Sequence, residues 1–227
     1  MKKNILKIVL IAILGILSIF TLTACFFNFI GGDAEFDFTM QEVMQNLKTG
    51  EYSLTYEITE NNGSGKSVTY ARLIRTDEGY YYGTATNIAF TNIKKQSVFI
   101  KNSDVDTYTR YTWNNGNYIQ SGTTEYTDEE ILSIAEDIVE LITMYLITRE
   151  SMSNDGATII LGRDCKKYKF GFSFFGFLSV TWEVAIDNVT GFCLKYAVVT
   201  SAASTSEGAE FICKEFLTTG ISLPAID

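Results

Sequence analysis

The chain has 227 residues, 46% of them hydrophobic and 14% aromatic, with 18 basic against 27 acidic side chains and a formal charge of −9. It contains no histidine, which excludes Ser-His-Asp and Cys-His catalysis and imidazole metal sites. The excess of acids argues against a nucleic-acid partner, whose phosphates call for a surplus of Lys and Arg, and 20% charged residues with one proline describe neither a disordered chain nor a proline-rich array.

Lys2, Lys3 and Lys7 open the chain and are followed by an uncharged apolar stretch over residues 8–22. A spanning helix needs roughly 20 apolar residues, so this shorter stretch reads as an export signal. Leu22-Thr23-Ala24-Cys25 closes it, and these four residues resemble the lipobox of bacterial lipoproteins. The resemblance implies acylation of Cys25 and removal of residues 1–24. It also implies a lipid-anchored chain on the extracytoplasmic face of the cell membrane, with the membrane as partner. Two or three acyl chains hold where a single one does not. Removing residues 1–24 takes away three lysines and no acid, leaving 15 basic against 27 acidic residues and a charge of −12. Such a surface is a poor match for an anionic bilayer, so attachment falls to the lipid. Residues 25–38 read as the lipidated cysteine and a short tether, and residues 39–227 as a single domain. Phe26, Phe27, Phe29 and Ile30 either lie beside the lipid or pack on that domain.

Thr39 and Glu42 form a capping box, with Phe38 and Val43 as its hydrophobic staple. The helix they open ends near Lys48, before Gly50. The pattern then switches to period two: Tyr52, Leu54, Tyr56 and Ile58 alternate with polar residues, as in a half-buried strand. Asn61-Asn62-Gly63-Ser64-Gly65 turns the chain, a strand returns through Val68, Tyr70 and Arg72-Leu73-Ile74, and Asp77-Glu78-Gly79 turns it again. Strands follow over 80–86, 88–93, 96–102 and 107–113. Asn114-Asn115-Gly116 then signals a hairpin. A second capping box, Thr127 with Glu130, starts one long helix running to about residue 150. Its apolar stripe is Ile131, Ile134, Ala135, Ile138, Leu141, Ile142 and Tyr145. Asn154-Asp155-Gly156 returns the chain to strands over 158–161 and 166–172, interrupted at 162–164. Further strands cover 177–186, 192–200 and 209–217. The order is a short helix, about six strands, a long helix and about five strands. This is an α+β class with one antiparallel meander of about 10–11 strands and the long helix buried against it.

Trp182-Glu183-Val184-Ala185-Ile186-Asp187 followed by Thr190-Gly191-Phe192-Cys193-Leu194-Lys195 makes a hairpin of strand, Asp, turn, Thr-Gly and strand. A later strand at Phe211 and a tail at Ile221-Ser222-Leu223-Pro224 complete a pattern similar to the superfamily of periplasmic lipoprotein carriers and mycobacterial lipid-carrier lipoproteins. The resemblance implies an unclosed half-barrel with helices plugging its concave face. The soluble carriers have no lipid anchor of their own, so shuttling does not follow for an anchored chain.

Catalytic residues, cofactors and metal ligands find no candidates. Asp104 with Asp106 flanks a turn and Glu129 with Glu130 caps a helix. Gly63-Ser64-Gly65-Lys66 is too short for a phosphate loop. Cys165, Cys193 and Cys213 are either buried free thiols or include one disulfide; an odd number cannot all pair internally. The aromatic surplus is the informative feature. Tyr80-Tyr81-Tyr82 put rings on both faces of a strand, and Phe170, Phe172, Phe174, Phe175 and Phe177 cluster around two glycines. Either both faces of the sheet are covered, or one lines an apolar cavity, or the 174–177 turn is an exposed tip. A cavity would place Ile138, Leu141, Ile142 and Tyr145 opposite Tyr56, Tyr70 and Tyr82. The function expected is a non-enzymatic, membrane-anchored lipoprotein holding an apolar ligand, a lipid or a lipidated chain. The alternative is a protein-interaction or sensor module with a filled core. A cavity of a few hundred Å³ between helix and sheet would favour the ligand, and a packed interior the module.

Overall fold

A computed structural model describes residues 27–30, 32, 34–61, 65–103, 105–114, 116–174, 178–202 and 205–226. The lipobox with Cys25, the apolar stretch before it, Phe26 and the 175–177 turn lie outside the described residues.

Twelve antiparallel strands form one sheet: β1 (Phe27–Ile30), β2 (Tyr52–Asn61), β3 (Lys66–Thr76), β4 (Gly79–Ala85), β5 (Ile93–Lys101), β6 (Tyr108–Asn114), β7 (Asn117–Tyr126), β8 (Ser153–Ile160), β9 (Arg163–Phe174), β10 (Leu178–Asp187), β11 (Cys193–Ala202) and β12 (Thr205–Leu217). The spatial order is β1-β9-β10-β11-β12-β2-β3-β4-β5-β6-β7, with β8 beside β9. Two sequential meanders are therefore joined where β12 pairs with β2. The outer edge of β9 is shared end to end: β8 covers residues 163–169 and β1 covers 171–174. That edge and β7 do not pair with each other, so the sheet stays an open half-barrel. The expected α+β meander is what forms. Within the segment read as a tether, Phe27–Ile30 add a short edge strand.

The helices are α1 (Met40–Thr49), α2 (Asp128–Ile134), α3 (Glu136–Thr143) and α4 (Tyr145–Thr148). Both capping boxes are closed. Glu42 N–H reaches Thr39 Oγ1 while Thr39 N–H donates to Glu42 Oε2 at 2.7 Å, and Thr127 with Glu130 repeats the pattern. Two expectations are corrected. The single long helix is three pieces, broken at Ala135, where ψ swings to 20°, and at Met144, with a 3₁₀ turn over Arg149–Ser151 after them. The apolar period runs unbroken through both sites and no Pro or Gly marks them, so the pattern alone reads as one rod. The breaks keep Ile131, Ala135, Ile138, Ile142 and Tyr145 all buried along a curved sheet. Residues 88–92 are loop, and the next strand begins at Ile93.

Leu161 and Gly162, both at positive φ (52° and 76°), link β8 to β9 as a tight hairpin where only an interruption was expected. Asn154-Asp155-Gly156, read as a turn, is an irregularity inside β8: the register slips between Asn154 and Ala157. One large core fills the concave side. A much smaller cluster of Ile74, Tyr81 and Val98 on the other side is covered by Ile221, Leu223 and Ile226 of the C-terminal tail.

Candidate functional site

The register decides which side chains look inward. Leu54, Leu73, Tyr82 and Ser97 form one transverse row across β2 to β5, and Tyr52, Arg75, Tyr80 and Phe99 form another. The helices α2 and α3 lie over these rows. Of the residues proposed to face a cavity, Tyr56, Tyr82, Ile138, Leu141, Ile142 and Tyr145 belong to this concave core, each under 5% exposed. Tyr70 does not. It sits one residue from inward-facing Ala71, and a one-residue step reverses the face of a strand. It points outward, its hydroxyl donating to Glu57 Oε2 at 2.7 Å. The adjacent apolar pair Leu73-Ile74 left the inward parity of β3 undecided in the sequence.

The tyrosines explain themselves as pillars, each with an apolar body and a polar tip that needs a partner when buried. Tyr80 donates to Asp128 at 2.7 Å and Tyr82 to Asp137 at 2.9 Å, fastening α2 and α3 to the sheet. Tyr52, Tyr56 and Tyr145 donate to the carbonyls of Leu47, Cys193 and Gly191. Burial pushes the hydroxyls of Tyr52, Tyr56, Tyr80 and Tyr82 well above the ordinary phenol value, so they stay donors at every physiological pH. Of Tyr80-Tyr81-Tyr82, the outer two face the concave core and Tyr81 faces the opposite cluster.

At one rim of the core the hairpin of Asp187, Thr190 and Gly191 is tied to a residue that the sequence did not single out. Arg163 grips the buried Asp187 through two hydrogen bonds of 2.8 and 2.9 Å. Thr190 adds its N–H and hydroxyl to Asp187 Oδ2 at 2.8 and 2.6 Å. Burial by itself would raise the Asp187 carboxyl, but the bonds from Arg163 and Thr190 outweigh it and hold the group below its ordinary value. The Arg163 guanidinium lies 4.1 Å over the Phe216 ring. Gly191, at φ 72°, gives Phe38 its seat: a Cβ there would fall 2.6 Å from the ring. Asn46 of α1 donates to the Thr190 carbonyl at 2.9 Å. Nothing in the spacing of Arg163 from Asp187 announces this pair; only the β9–β10 register does.

Cys165, Cys193 and Cys213 are free and buried. Burial pushes the Cys165 thiol up to about 11 and the Cys213 thiol up to about 12, with Cys193 also raised, so none offers a thiolate at neutral pH. Among the described residues no three His, Cys, Asp or Glu side chains are grouped as a metal site. The void that reaches the helix–sheet interface, beside Phe36, Tyr145 and Tyr168, holds about 10 Å³, roughly room for a single water. A depression of about 430 Å³ lies elsewhere, on the convex face.

The layout has counterparts among solved structures. The chain is similar to LprF from Mycobacterium bovis. That likeness covers 82% of this chain and 93% of that one at 14% identity and a TM-score of 0.35. The Mycobacterium tuberculosis lipoprotein LppX is similar over 82% of this chain and all of its own, at 8% identity and a TM-score of 0.36. A LolA superfamily protein from Nitrosomonas europaea matches 82% of this chain and 96% of its own, at 8% identity and a TM-score of 0.30. No family model matches the sequence, and neither does any curated protein.

Proposed function

We propose that this chain is an exported, lipid-anchored protein of the cell membrane's outer face, without enzymatic activity, that works as a binding and interaction module. One observation carries the choice between module and ligand carrier: the concave interior is filled. Tyr82, Ile138, Ile142 and Tyr145 are all fully buried where a ligand was expected. The Tyr82 and Tyr145 hydroxyls are satisfied by protein groups. An apolar ligand of any length would have to lift α2 to α4 off the sheet, breaking the Tyr80–Asp128 and Tyr82–Asp137 bonds. The anchor rests on Leu22-Thr23-Ala24-Cys25.

Two measurements test the reading. Cells fed a labelled fatty acid incorporate label into the wild-type chain and none into Cys25→Ala, which leaves the membrane fraction. Native mass spectrometry of the purified chain shows the mass of the acylated protein with no further lipid. A stoichiometric second lipid, retained by wild type and lost from Ile138→Trp, would replace the module with a carrier.

A further inference from the structure

The convex face carries a built depression that neither the anchor nor the packed interior uses. Register aligns Arg72, Gly83 and Gln96 in one row across β3, β4 and β5, and Ile74, Tyr81 and Val98 in the next. Gly83 has no side chain, and the Tyr81 ring leans into the room this leaves: a Cβ at Gly83 would fall 2.3 Å from the Tyr81 hydroxyl oxygen. That hydroxyl is 3.1 Å from Gln96 Oε1, to which it donates. Phe90 forms one wall, with the Arg72 guanidinium 4.2 Å over its ring. Trp113 and Tyr118, register partners in the β6–β7 hairpin, form another, edge to face at 5.1 Å. Asn117 and Pro224 complete the lining of a space of about 430 Å³. That volume lies within the range of roughly 300–1,000 Å³ usual for small-ligand sites.

The lining selects a class of ligand. Its one charged residue, Arg72, is already engaged, donating to Glu215 Oε2 at 3.0 Å and to Thr55 Oγ1 at 2.8 Å. Glu215 balances that charge, so the depression offers no net charge to an anion or to a cation. A pure hydrocarbon would strip water from the exposed Asn117 amide without replacing its hydrogen bonds. The remaining fit is a neutral ring with an apolar face and hydroxyls around its edge. Trp113 borders the depression and is 43% exposed, a large aromatic beside amide donors and acceptors.

We propose that this convex depression binds a neutral saccharide, with Trp113 as the stacking platform and the Asn117 amide and Gln96 Nε2 as the groups that hydrogen-bond its hydroxyls. The site stands apart from the anchor and from the packed interior, so its failure leaves both untouched.

The test uses the full chain in a detergent without a sugar headgroup, titrated with chitotetraose and with maltotetraose. The chain has two tryptophans, and Trp182 is buried beside Phe170. A saturable change in fluorescence therefore reports on Trp113. Binding of at least one sugar with a dissociation constant on the order of 1 mM or tighter is expected. By calorimetry, Trp113→Ala weakens it about tenfold or more and Asn117→Ala about threefold. Val189→Ser, at an exposed turn away from the site, leaves it unchanged. The proposal is overturned if neither sugar binds at about ten times that concentration, or if Trp113→Ala binds as wild type does. It is equally overturned if a Ser-Leu-Pro-Ala-Ile peptide binds there and the sugars do not, which would make the depression a peptide groove.

Discussion

The concave face of the sheet hides Tyr56, Leu73 and Tyr82 beneath the helices, whereas the convex face leaves Trp113 43% exposed, with a short tail lying across its middle. Both faces are aromatic. On the inner one each buried tyrosine tip named above ends on a protein group, so the rings act as props between sheet and helix. On the outer one Tyr81 is buried over Gly83 and Phe90 beneath the Arg72 guanidinium, while Trp113 and Tyr118 border open space. Aromatic content by itself therefore does not mark a ligand cavity. What matters is whether a second layer comes down on the rings.

Substitutions on the two faces should separate structure from binding. The largest effect is expected at the rim of the inner core. Asp187→Ala leaves Arg163 unpaired and should cost about 3–5 kcal/mol in urea unfolding at neutral pH. The Asp187 carboxyl is held below its ordinary value of 3.8, so its contribution is full above pH 3.8 and is lost as pH falls through the folded value. The gap between wild type and variant should therefore close in acid; a gap constant from pH 7 to pH 2 would assign the stabilisation to packing. Ile138→Ala, in the middle of the plug, should cost about 3 kcal/mol through the cavity it leaves. A loss below about 1 kcal/mol would mean that α3 is loosely seated, which would revive the carrier reading. Tyr82→Phe removes one hydroxyl from a latch whose partner Asp137 remains, and about 1 kcal/mol is expected. Trp113→Ala, on the convex face, should change stability by no more than about 0.5 kcal/mol while weakening sugar binding about tenfold or more. A larger destabilisation would make Trp113 a structural residue and erase the difference between the faces.

Much of the inner face was legible. Of the seven residues read as lining a cavity, all but Tyr70 lie in the concave core, because strand alternation and the helical stripe are local periodicities that survive folding. Tyr70 failed for a local reason, since two adjacent apolar residues in β3 hide the parity. The helix breaks at Ala135 and Met144 failed for a global one, because they answer the curvature of a sheet whose strands come from both halves of the chain. The outer depression was not legible at all. Trp113, Gly83, Gln96 and Arg72 lie far apart in sequence, and each reads as an ordinary strand residue.

What the sequence determines here is whatever depends on near neighbours. It sets both capping boxes, the α+β order of elements, the meander and the acidic surface, and it supplies the lipobox-like Leu22-Thr23-Ala24-Cys25. Tertiary structure alone decided that Tyr82, Ile138 and Tyr145 are packed between helix and sheet, that Arg163 pairs with Asp187, and that Gly83 makes room for Tyr81. Those outcomes depend on which strand lies beside which and in what register, and a register is a property of two segments at once.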